Sequence, residues 1–115
     1  MHAEMIAPRR RTRRSPGDRL AKAVLALAGE GARLARQTET SWASITFAGT
    51  RHRIELVFPE TAIAAGERFV AELPEHEFAV PGQLVADATV TAADHTMLPD
   101  KLLKVTCELL LLEDG

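Results

Sequence analysis

Apolar positions change their period several times along the chain, and each change marks an element. From Ser15 the repeat is helical: Leu20, Val24, Leu27, Gly31 and Leu34 fall on one stripe, with Ala23, Ala28 and Ala35 beside it. Ser15-Pro16 supplies an N-cap followed by proline in the first turn, and Asp18 places an anion where the helix dipole favours one. Gly29 and Gly31 each cost about 1 kcal/mol relative to alanine inside a helix. A kink or a close approach to a sheet is expected there. Polar Gln37–Thr40 ends the pattern.

The period then drops to two. Ala43, Ile45 and Phe47 alternate with Ser44 and Thr46, and Ile54, Leu56 and Phe58 alternate with Arg53, Glu55 and Val57. Between them Ala48-Gly49-Thr50 reads as the turn of a hairpin spanning Ser41 to Phe58, with Gly49 free to take a positive φ. Trp42, the single tryptophan, falls on the polar side of its strand and is a candidate for an edge or an interface. Pro59 closes the hairpin. A second helix is expected from a cap at Thr61, with Ile63, Gly66, Val70 and Leu73 inward and Pro74 as its stop.

Phe78 and Val80 allow a very short strand over residues 77–80, before a Pro81-Gly82 turn. A second hairpin follows. Its first strand turns Leu84, Ala86, Ala88 and Val90 to one side, and Val85, Asp87, Thr89 and Thr91 to the other. Ala92 to Lys101 reads as a long exposed loop. The last strand presents Leu103, Val105, Cys107, Leu109 and Leu111 to the core. Its opposite side becomes apolar at Leu110 and Leu112, so something is expected to cover that end.

The order α-β-β-α-β-β predicts an α+β fold: a two-layer sandwich with a four-stranded, mainly antiparallel sheet and both helices on one face. One domain over residues 15–115 is expected, a size that can bury a two-layer core. Composition agrees with a globular chain, at 46% apolar and 26% charged residues. Residues 1–14 are expected to form a disordered basic arm, since they have little to bury. Cys107 is the single cysteine, and with no signal-like segment visible a reducing, cytoplasmic setting is expected. Arginine outnumbers lysine 11 to 3, which points to a bacterial, GC-rich genome.

Charge adds a second asymmetry. Residues 1–53 hold 11 Arg/Lys against 4 Asp/Glu, whereas residues 54–115 hold 3 against 12, so the net charge of −2 conceals halves of +7 and −9. Arg9, Arg10, Arg11, Arg13 and Arg14 are candidate nucleic-acid contacts of a non-specific, salt-dependent kind. No aromatic residue is interleaved among them to stack on bases.

Candidate chemistry is sparse. His2, His52, His76 and His95 match no metal-ligand spacing, and no phosphate loop or nucleophile motif occurs. No cofactor is expected. Asp87 is the carboxylate to watch, because it interrupts a strand and is a candidate to orient His52 or to pair with Arg53.

These features favour a small non-enzymatic interaction protein that self-associates as a dimer through its sheet face or C-terminal strand. Trp42, Arg51, His52, Arg53, Leu110 and Leu112 are its candidate contacts. One alternative is a nucleic-acid-associated protein that uses the arginine arm. Another is a ligand binder or enzyme with a site near His52, Asp87 and His76. If the arm is a nucleic-acid handle, deleting residues 1–14 will lower the salt concentration that elutes the protein from heparin or DNA resin. Unchanged retention contradicts that role.

Overall fold

The computed structural model describes residues 15–113, so the expected basic arm lies outside the described residues. The elements are α1 (Pro16–Ala28), β1 (Arg33–Ala43), β2 (Ala48–Pro59), α2 (Ile63–Glu72), β3 (Gln83–Thr96) and β4 (Leu102–Glu113). Single 3-10 turns, Glu60–Ala62 and Leu73–Glu75, flank α2. The four strands form one antiparallel sheet of order β1-β2-β4-β3. The fold is α+β in the expected element order.

Helix α1 starts where its cap dictates. Ser15 Oγ accepts from the Asp18 amide at 3.1 Å, and Asp18 Oδ2 accepts from the Ser15 amide at 3.3 Å. This reciprocal box satisfies two otherwise free donors. The helix stops earlier than its apolar stripe suggests. Gly29 takes φ 101° and its N–H bonds Leu25 O, a C-terminal break open to glycine. Gly31 and Leu34 therefore leave the helix, and Leu34 joins β1.

The first hairpin is shifted by four residues. Its tip is Ser44–Phe47, closed by Ser44 N–H to Phe47 O at 2.8 Å and by Phe47 N–H to Ser44 Oγ at 3.1 Å. Ala48-Gly49-Thr50 belongs to β2, where Gly49 pairs with Trp42 on one side and Leu112 on the other. Its glycine has a steric reason rather than a turn geometry. A Cβ there would lie 1.9 Å from Leu111 O. The polar run Gln37–Thr40 is the middle of β1, and Ile45 and Phe47, expected in the core, are exposed at the tip.

Inward of the sheet lies the core: Ile54, Leu56 and Phe58 of β2, and Leu103, Val105, Cys107, Leu109 and Leu111 of β4. Leu20 and Val24 of α1, and Phe69 with Leu73 around α2, pack onto them. Phe69, rather than Val70, is the deep residue of α2 and meets Phe58 at a ring-centroid distance of 5.9 Å. Among the described residues no side chain caps α2; Thr61 falls within the preceding 3-10 turn. Residues 77–80 contribute only a Val80–Gln83 bridge around the Pro81-Gly82 turn, in which Gly82 has φ 78°.

Strand β3 is longer than expected and absorbs Asp94 and His95, leaving a short connection around a cis Leu98–Pro99 bond. Its alternation inverts only ahead of a bulge, since Ala88 and Val90 pack inward as expected. A bulge between Val85 and Asp87 turns Val85 and Ala88 toward the core and leaves Leu84 exposed, contrary to the simple two-residue period.

Gly66 lets α2 approach the sheet. A Cβ there would lie 2.7 Å from Leu103 Cδ2 and 2.8 Å from Phe58 Cγ. Alanine gains about 1 kcal/mol of helix propensity but overpacks a close-packed interface at about 1–3 kcal/mol. Gly66→Ala is therefore expected to lower the denaturant midpoint. An unchanged or raised midpoint contradicts this reading of the contact.

Candidate interaction surface

Strand registers assign each candidate residue to a face. On β2, His52, Ile54, Leu56 and Phe58 share the helix side, so Arg51, Arg53, Glu55 and Val57 share the open side. Trp42, paired with Gly49, also lies on the open face and is half-buried. Leu110 faces Arg51 on one side and Asp87 on the other, and Leu112 faces Gly49 and Leu84. Leu110 and Leu112 are 8% and 7% exposed, so they offer little area to a partner. Their strand is also hydrogen-bonded on both edges.

Arg53 pairs with Glu108 at 3.6 Å, and Glu55 with Lys104 at 3.5 Å. Both ion pairs join β2 to β4 across the open face. Partly exposed pairs of this kind contribute about 0–1 kcal/mol. Arg53 is thus engaged within the sheet, and Asp87 cannot reach it because β4 stands between β2 and β3.

His52 is not a surface residue. It is 1% exposed, beneath the start of α1. Gln37 Nε2 donates to Gly17 O at 3.0 Å, which fixes the orientation of that amide, and lies 3.4 Å from His52 Nδ1. Nδ1 then acts as acceptor, and His52 Nε2–H donates to Thr50 Oγ1 at 2.8 Å. A Cβ on Gly17 would come within 3.1 Å of His52 Cε1 and of Glu39 Oε1, so a small residue admits the ring under the helix. The result is a satisfied, neutral histidine that ties α1 to β1 and β2.

The other expected groups do not converge. Asp87 stands on the far strand of the sheet, while His76 follows α2 and stacks edge-on with Phe78 at 4.5 Å. A pocket of about 600 Å³ is lined by residues 76–85, and neither His52 nor Asp87 borders it. Cys107 is buried, and desolvation helped by Glu108 pushes its thiol up to about 12, so it is no nucleophile near neutral pH. Among the described residues no group of three or more His, Cys, Asp or Glu is placed to hold a metal ion.

Sequence reading missed the exposed apolar residues. Ile45 and Phe47 crown the β1–β2 tip, Met97 and Leu98 crown the β3–β4 connection at the opposite end of the sheet, and Leu84 is exposed on the open face. Ser44 was the available signal, since a serine at a tip can accept its own loop's amide, as it does from Phe47. Among the described residues no helix is long and apolar enough to cross a membrane.

Burial lowers the pKa of His52 below 6.5, opposed by the charge of Glu39, whose Oε1 lies 3.8 Å from Nδ1. The unfolded chain therefore binds the proton more readily. The resulting stability is complete above pH 6.5 and is lost as pH falls through the lowered folded value. Thermal melts from pH 7 to pH 5 are expected to fall more steeply for the wild type than for His52→Gln. Parallel slopes contradict the assignment.

No protein-family profile matches the chain, and no curated protein matches it. One solved chain, from a structure described as "Virion of native gene transfer agent (GTA) particle", is 18% identical. The similarity has a TM-score of 0.54 and covers 76% of this chain and 72% of that one. At this identity the likeness concerns the fold alone.

Proposed function

We propose that the protein is a non-enzymatic assembly subunit that packs against other protein chains, copies of itself first. The observation that carries this reading is the pair of hairpin ends bearing exposed Ile45 and Phe47 at one end of the sheet, and Met97 and Leu98 at the other. Large apolar side chains placed at projecting tips gain most by burial in a neighbour, about 1.5–3 kcal/mol for each one fully covered. Exposed Leu84 and half-buried Trp42 extend the apolar surface along the open face.

A fold-level neighbour from a virion particle is in keeping with a role in building a larger structure. The dispersal of His52, Asp87 and His76 removes the main support for a site of chemistry among them. Light scattering after gel filtration at high micromolar concentration is expected to show more than one copy per particle. The double variant Ile45→Ser, Phe47→Ser is expected to reduce that mass while keeping the native circular-dichroism spectrum. A monomeric wild type contradicts the proposal, as does an oligomer indifferent to the tip substitutions.

A further inference from the structure

Among the described residues, the order β1-β2-β4-β3 leaves two open edges, β1 and β3. Unpaired strand edges of this kind are templates for another strand. Among the described residues, the one backbone hydrogen bond reaching either edge from outside the sheet ladders is Gln83 N–H to Val80 O, at the very start of β3. The two edge strands run in opposite directions, because three antiparallel steps separate them. A neighbouring copy placed side by side in the same orientation would therefore bring its β3 antiparallel to β1.

The registers state which residues would then lie level. Following each row across the sheet, Arg33 is level with Asp94, through Val57 and Lys104. Thr38 is level with Thr89, through Arg53 and Glu108. Trp42 is level with Leu84, through Gly49 and Leu112. All three rows lie on the open face. They oppose a cation to an anion, a threonine to a threonine and an aromatic to an exposed leucine, which are favourable cross-strand pairs. On the helix side, Leu34 is level with Ala93.

We propose that copies of this chain join edge to edge, β1 of one copy pairing antiparallel and level with β3 of the next. This mode rests on the assembly reading above, names a second copy as the partner, and puts the Ser44–Phe47 tip and the Met97–Leu98 connection, which follow β1 and β3, at the two ends of the seam. The bulges of β3 lie between Val85 and Asp87 and between Val90 and Ala92, so Asp87–Val90 is a regular run. It falls level with Gln37–Thr40, which is regular in β1. The join is heterologous, using two different edges, and so closes into a ring or continues as a filament.

Cysteine cross-linking reads the geometry directly, since native Cys107 is buried and its thiol strongly protonated. Thr38→Cys and Thr89→Cys, each alone, are expected to stay unlinked under mild oxidation. Mixed, they should give a disulfide-linked pair, and the double variant should give a ladder of covalent multimers. Arg33→Asp is expected to weaken association several-fold, and Asp94→Arg added to the same chain should restore it. Homodimers from either single cysteine variant would instead indicate a two-fold edge pairing and overturn the proposal. Oligomers that respond to the Ile45 and Phe47 substitutions but never link 38 to 89 would overturn this mode while leaving the assembly reading intact. A wild type monomeric at every concentration overturns both.

Discussion

The molecule depends on β4 being a central strand. Leu103, Val105, Cys107, Leu109 and Leu111 make its inner side continuously apolar, and β2 and β3 satisfy its backbone on both edges. Both helices pack on that side, with α2 brought close by Gly66 above Phe58 and Leu103. Burying such a strand centrally has a topological consequence. The strand that precedes it in sequence, β3, is pushed to one edge, while β1 remains at the other. The same arrangement that builds the core thus creates the two open edges.

The edges differ in character because their neighbours differ. β1 is polar and basic on its open side, through Arg33 and Arg36, and its inward side is occupied partly by Gln37 and Glu39. Those two meet the start of α1 and the ring of His52, a polar extension of the core at the end of the sheet. β3 is small-residue and threonine-rich, carries Asp87 and Asp94, and bends at two bulges. Neither edge resembles the other, so pairing one with the other is chemically distinct from pairing either with itself.

Fold class was legible in the sequence because the core strands obey a clean alternation: Ile54, Leu56, Phe58 and then Leu103 through Leu111. Capping chemistry at Ser15 was equally local and equally readable. Errors arose where tertiary pairing replaced local pattern. An edge strand that buries little, such as β1, carries no apolar period, so Gln37–Thr40 resembled a linker and Ile45 and Phe47 resembled core. Gly49 resembled a turn residue because close backbone approach to Leu111 leaves no local mark. The bulge after Val85 reversed Leu84 and Val85 and left Ala88 and Val90 inward as expected, and a bulge is set by the partner strand. His52 is a different case: it was a candidate contact beside Arg51 and Arg53, yet the two-residue period of Ile54, Leu56 and Phe58 already turns it inward.

Amide hydrogen exchange followed as a function of protein concentration tests the central claim, that the two edge strands are joined between copies. The account predicts that amides of β1 and β3 gain protection as concentration rises, while those of α1, β2 and β4 change little. Edge-strand amides that exchange at the same rate at low and high concentration would contradict it.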